Sequence, residues 1–224
     1  MKITRIEQQK NRPGRRNIYA DGEFLIGVAA ETLLRFGLRT GDEITPATFR
    51  LMERTEELLG AKSAALRLLS VRPRSEREIR DRLREKAFGE EEIVGTINDL
   101  KSTGLVDDEA FARTYIRNAL ALKPSGRVLL RRNLLLLGVR REVADEALDE
   151  VLAGVGQEEN AVRAAEAFVK RASGRKRQDP RKLRQRLTAY LLRRGYTWDE
   201  VGPAVKRVLA ESGPEDGEAS ESRR

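Results

Sequence analysis

The chain has no histidine and no cysteine among its 224 residues. That removes imidazole bases, thiolate nucleophiles, Ser-His-Asp triads and zinc sites of the Cys/His kind. Carboxylate, lysine, serine and tyrosine chemistry remain. The densest acidic cluster outside the C-terminal tail and the Glu90–Glu92 run, Asp107-Asp108-Glu109, invites a metal or nuclease reading, but three consecutive acids at a helix start cannot all converge on one ion. Unpaired amides and the positive end of the helix dipole account for acids at that place. No glycine-rich phosphate loop of the Walker type occurs, so the chain is not expected to hydrolyse ATP. These exclusions leave an enzyme unsupported by any residue pattern, with neither cofactor nor metal expected.

Charge offers chemistry of another kind. The chain carries 44 basic and 36 acidic residues, a net charge of +8. Residues 157–209 hold 14 of the former and 6 of the latter, which by itself equals the whole excess. From Lys170 to Arg194 a single acid, Asp179, faces eleven basic residues: Lys170, Arg171, Arg175, Lys176, Arg177, Arg181, Lys182, Arg184, Arg186, Arg193 and Arg194. Such a concentration suits phosphate backbones or an acidic protein groove. On a helix over 181–194, with Leu183, Leu187, Tyr190 and Leu191 as its buried stripe, Lys182, Arg186 and Arg193 fall within about 40° of one another, with small Ala189 between them. That makes a cationic ridge. The candidate partner- or DNA-binding residues are therefore Lys170, Arg171, Arg175, Lys176, Arg177, Lys182, Arg186 and Arg193. Arg127 and Arg131, spaced i and i+4, join them as outward-facing exceptions on an otherwise apolar helix.

The elements that must carry these residues are mostly helical. Residues 1–48 form a small β/α extension: Ile18–Ala20 and Glu23–Val28 flank Asp21-Gly22, a type I′ hairpin signal. Ile3–Glu7 supplies a third strand and Ala30–Phe36 a helix. Beyond Thr48 the chain repeats itself. Anchors Phe88, Val139 and Tyr196 are preceded at five residues by Leu83, Leu134 and Leu191, and at nine by Ile79, Leu130 and Leu187. They are followed by Ile93, Val143 and Val201. Helices over 61–69, 111–122 and 161–172 precede these runs. The spacing predicts three tandem three-helix repeats at 58–106, 107–155 and 157–210, the third strongly basic, with a disordered acidic tail over 211–224. Ser75 with Glu78, and Thr197 with Glu200, have capping-box spacing. A repeat of about fifty residues has a marginal core alone, so neighbours should pack into an elongated, curved array. The central helix, with Val128 to Leu130 and Leu134 to Leu137, is apolar almost all round and is expected to be buried between its neighbours. Trp198 is expected to close the third core.

Met1 to Arg16 lacks the apolar centre of a signal peptide, and no later run reaches membrane-spanning length. A cytoplasmic monomer is expected, with no membrane contact.

Arg74 to Phe88, Gly104 to Tyr115, and Lys123-Pro-Ser-Gly126 leading to Leu136-Leu-Gly-Val139 together resemble the RecX family of recombination regulators. The most specific element is Asp107, Asp108, Phe111, Ala112 and Tyr115, a motif read as mainly structural. The resemblance covers residues 58–209, and the hairpin region is similar to the N-terminal extension of longer members. Two positions depart from the family pattern: Ala87 stands where Gly usually precedes the aromatic, and Asn133 where Glu is common. The resemblance implies a non-enzymatic ligand of the RecA–DNA filament that lies in its helical groove and reduces strand exchange and coupled ATP hydrolysis, with roles in homologous recombination, DNA repair and the SOS response. A helical-repeat protein acting on DNA alone is the alternative.

Overall fold

A computed structural model describes residues 1–172 and 179–211. The chain divides into two compact units, residues 1–106 and 107–224.

The first unit opens with three antiparallel strands in sequential order, β1 (Ile3–Gln9), β2 (Arg12–Ala20) and β3 (Glu23–Ala29). Asp21 and Gly22 both take positive φ, 50° and 91°, as a type I′ turn demands. Helices α1 (Ala30–Phe36) and α2 (Pro46–Leu69) follow. The sheet and α1 enclose Ile3, Ile18, Val28, Ile44 and Met52. Glu56 on α2 reaches back to fasten this core: its Oε1 accepts from the Ala29 amide at 2.7 Å and from the Thr32 hydroxyl, and Arg15 pairs with it at 3.2 Å.

Helix α2 serves a second core as well. Ala61, Ala64 and Ala65, on its C-terminal half, pack with Ile79, Leu83, Ile93, Ile97 and Leu100 from α3 (Glu76–Glu85) and α4 (Glu90–Ser102). The expected helix over 61–69 is thus the end of a 24-residue one. The capping box at Ser75 and Glu78 is complete.

The second unit holds two three-helix domains, α5 (Asp108–Leu122) with α6 (Arg127–Leu136) and α7 (Arg141–Ala153), then α8 (Gln157–Ala172) with α9 (Pro180–Arg193) and α10 (Trp198–Glu211). Each fills its own core. Phe111, Ala112, Ile116, Leu130, Leu134 and Val143 belong to the first of these; Leu187, Leu191, Tyr196, Val201 and Val205 belong to the second.

The repeat has one backbone device, used three times. At the end of α3, α6 and α9 the anchor amide returns to the carbonyl five residues earlier: Phe88 to Leu83 at 3.2 Å, Val139 to Leu134 at 3.0 Å, Tyr196 to Leu191 at 3.2 Å. The preceding residue, in the left-handed region, closes a second bond: Ala87 to Arg84, Gly138 to Leu135, Gly195 to Leu192. These are Schellman closures, and they fix the register of anchor and leucine that the sequence spacing shows.

Two expectations need correction. Helix α6 is not buried all round: Val128 is 52% and Leu136 71% exposed. Its own domain needs only the Leu130 and Leu134 side, and α9 meets it at its N-terminal end rather than along its length. Trp198 does not close the third core but stands 68% exposed. Tyr196, two residues earlier, fills that place and donates its hydroxyl to the Asn160 carbonyl at 3.1 Å; burial pushes its phenol above the ordinary pKa of 10.0. The α9 stripe is also narrower than expected, with Leu187 and Leu191 buried and Leu183 and Tyr190 half-buried.

Ala87, at φ 62°, holds a conformation that a Cβ disfavours and that Gly138 and Gly195 hold without strain. Ala87→Gly is expected to raise stability by about 0.5–1 kcal/mol in urea denaturation, the relief exceeding the added freedom of the unfolded chain. Unchanged or lower stability would contradict that account.

Candidate partner-binding surface

Helix α9 presents the sequence-predicted ridge. An N-cap at Asp179, whose carboxylate accepts from the Arg181 amide at 2.9 Å, starts the helix before Pro180. Lys182, Arg186 and Arg193 are all exposed, as are Lys170 and Arg171 near the end of α8. Arg175, Lys176 and Arg177 lie outside the described residues, as does the acidic tail beyond Glu211.

The setting of these cations differs from that of the arginines around α3 and α7. Around α3 the basic residues face carboxylates: Arg72 and Arg74 with Glu78, Arg80 with Glu76 and Glu90, Arg84 with Asp81 and Glu90, Lys101 with Glu76. Burial works against ionisation of Glu78, yet hydrogen bonds from Arg72 and the Ser75 amide outweigh it and hold its carboxyl below the ordinary 4.5. The middle domain follows the same pattern. Arg127 pairs with Asp149 and Asp145, and Arg131 with Asp145; Arg127 and Asp149 hold the latter's carboxyl below its usual range by their hydrogen bond. On α8 and α9, by contrast, Lys170, Lys182, Arg184 and Arg193 form no ion pair with any described residue. Opposite charge within a few ångströms cancels most of a cation's field at a distance. The segment that holds the excess of positive charge, residues 157–209, thus also carries cations whose field no neighbouring carboxylate cancels among the described residues.

Arg194 belongs to the basic run but is structural. Its guanidinium donates to the Pro124 carbonyl at 3.0 Å, the Lys123 carbonyl at 3.1 Å and the Ser125 hydroxyl at 2.6 Å. The Gly126 amide donates to the Arg194 carbonyl at 2.9 Å, and the Val128 amide to the Gly195 carbonyl at 3.1 Å. The carbonyl end of α9 thus supplies acceptors for the amide end of α6, satisfying orphan groups on both. Asn160, buried on α8, completes the joint by donating to the Ser125 carbonyl at 3.0 Å. The sequence marks this place only through Lys123-Pro-Ser-Gly126. Pairing of its carbonyls with a residue seventy positions away has no local signature.

The family-motif residues take supporting places. Asp107 accepts from the Glu109 and Ala110 amides at 2.8 and 3.0 Å, capping α5. Phe111 and Ala112 are buried, and Tyr115 packs beside them with ring centroids 6.2 Å apart. Asp108 opens the helix behind that cap.

Four family models match in chain order. The regulatory protein RecX N-terminal domain covers residues 1–45, and the RecX first, second and third three-helix domains cover 61–100, 107–148 and 157–205. The regulatory protein RecX of Clostridium acetobutylicum is 32% identical over 213 residues, which are 94% of this chain and 97% of that one. The chain belongs to the RecX family. The regulatory protein RecX of Clostridioides difficile is also 32% identical, over 92% of this chain and 93% of its own. Among solved structures, a regulatory protein RecX superposes with a TM-score of 0.70 at 28% identity, covering 94% of this chain and 98% of the other. RecX from Lactobacillus salivarius gives 0.58 at 25% identity over 69% of this chain. Among the described residues no helix is long and apolar enough to cross a membrane.

The α6–α9 joint leaves no room for a side chain at Gly195, where a Cβ would run into the Leu129 backbone and the φ of 83° is already unfavourable for any other residue. Gly195→Ala is expected to lower stability by about 2 kcal/mol or more in urea denaturation. Gly154→Ala, at a right-handed helix end with only the Val151 carbonyl at 4.0 Å, should change it by less than about 0.5 kcal/mol. Equal effects of the two would refute the close-contact account.

Proposed function

We propose that this RecX-family protein binds the RecA–DNA filament in its helical groove and restrains strand exchange and the coupled ATP hydrolysis, acting as a cytoplasmic monomer without catalysing a reaction itself. The observation that carries the contact surface is that Lys170, Lys182, Arg184 and Arg193 of the third domain have no carboxylate partner among the described residues, within the chain's most basic segment. A filament offers phosphates and acidic protein surface together, and such cations suit both. The contact set is Lys170, Arg171, Lys182, Arg186 and Arg193, with Arg175, Lys176 and Arg177 added from the sequence. Arg127 and Arg131 join it only by exchanging Asp145 and Asp149 for a partner's anions.

The test is RecA's DNA-dependent ATPase rate during titration. Wild type is expected to suppress it at protein levels well below those of RecA. The triple variant Lys182→Ala, Arg186→Ala, Arg193→Ala should need at least about tenfold more protein, since each charge-assisted contact contributes on the order of 1 kcal/mol or more. No suppression by wild type at equimolar protein would overturn the reading.

Binding to DNA alone is a second reading, favoured by the same cations, which attract phosphate whether or not a protein surrounds it. It predicts that the logarithm of affinity for duplex DNA falls linearly with the logarithm of salt concentration, and that the triple variant lowers the slope by about 3. A salt-independent or undetectable interaction would exclude it.

A further inference from the structure

Where α8 and α9 pack, a pocket of about 300 Å³ opens to solvent, lined by Lys123, Phe168, Arg171, Ala172, Arg186 and Tyr190. Three of the six are cations, two are aromatic, and none is acidic. The Phe168 and Tyr190 rings lie 4.8 Å apart, tilted by 31°. Both are half-buried, packed on the third core from one side. The Arg186 guanidinium sits 5.9 Å over the Phe168 ring. Arg171 is oriented by two bonds, to the Ala167 carbonyl at 2.9 Å and to the Tyr190 hydroxyl at 3.4 Å. Lys123 comes from the middle domain, at the end of α5, and its backbone carbonyl is held by Arg194. The pocket therefore has a rigid aromatic wall and a rim of positive charge drawn from two domains.

Each candidate occupant needs part of this. A row of carboxylates needs the cations but not the rings, and an apolar peptide needs the rings but is opposed by three charges. An unstacked base flanked by phosphates needs both, because every base offers a π-face to an aromatic wall while its backbone seeks cations. A cavity of this volume has room for a base. Bases within a duplex are closed off by their neighbours. We infer that this pocket accepts a single unstacked base of single-stranded nucleic acid, laid against Phe168 and Tyr190, with the adjoining phosphates on Lys123, Arg171 and Arg186. The inference rests on the reading that the third domain meets the nucleic acid of the filament, and it adds that the strand met there is single.

Fluorescence anisotropy of the full chain with fluorescein-labelled oligothymidylate, an abasic strand of equal length and a duplex tests it without RecA. Oligothymidylate is expected to bind at least about 5-fold tighter than the abasic strand, the range of one base–aromatic stack. Phe168→Leu and Tyr190→Leu, which keep apolar bulk against the core, should erase that difference while leaving the salt dependence unchanged; Tyr190→Phe should retain it. Thermal melts of the variants separate loss of stacking from loss of fold. Equal binding of the two strands by wild type would overturn the pocket while leaving phosphate contact intact. Binding of neither would overturn the pocket together with the DNA-alone reading, while the ATPase titration still decides the filament reading. Tighter binding of a labelled Asp- and Glu-rich peptide containing one Phe than of either strand would overturn the inference in favour of a protein occupant.

Discussion

The second unit depends on an end-on meeting of two helices. Backbone groups at helix termini have no partner within their own helix, and desolvating them without one is expensive. Here the Arg194 and Gly195 carbonyls, just past α9, accept from the Gly126 and Val128 amides at the start of α6, and two glycines permit the approach: a Cβ on Gly126 would strike the Gly195 peptide, and one on Gly195 would strike Leu129. Arg194 binds the carbonyls just ahead of α6, Asn160 binds Ser125 from α8, and Tyr196 binds Asn160. Two small cores, each marginal for its size, are joined by polar groups that need one another. The same contacts hold Lys123 beside the third domain's aromatic pair.

Charge is distributed by a different logic. Surface ion pairs contribute little stability each, so the dense pairing around α3 and α7 matters more for the field it suppresses than for the energy it adds. Arginines there face Glu76, Glu78, Glu90, Asp145 and Asp149. Third-domain lysines and arginines stand on a helix whose first acid, Asp179, is occupied by capping. Composition alone gives a basic protein; the pairing pattern sets the clustered arginines around α3 and α7, which face carboxylates, apart from those of α9, most of which do not.

Much of this was legible in the sequence because it is written in local periodicities. The hairpin at Asp21-Gly22, the Ser75 capping box and the leucine-to-anchor spacing of five residues all express short-range geometry, and each appears in the structure. The ridge of Lys182, Arg186 and Arg193 was legible for the same reason, since helical spacing fixes which residues share a face. What escaped was set by long-range packing. Nothing near Arg194 distinguishes it from Arg193, yet one is bound to carbonyls seventy residues back and the other faces solvent. Trp198 and the outer side of α6 stay exposed although they are hydrophobic, because Tyr196 and the Leu130–Leu134 stripe already fill the available space. The Phe168–Tyr190 wall was hidden because each ring, alone, reads as core.

Helix α2 does not respect the boundary that the repeats suggest. Phe49 and Met52 on its first turns belong to the sheet's core, and Ala61 to Ala65 on its later turns belong to the first three-helix domain. The sheet and that domain consequently share one helix and fall within one compact unit, residues 1–106. Anyone dissecting the protein into pieces must cut ahead of Thr45, the residue that caps this helix, and a fragment begun there would carry a bare apolar stripe where the sheet had been.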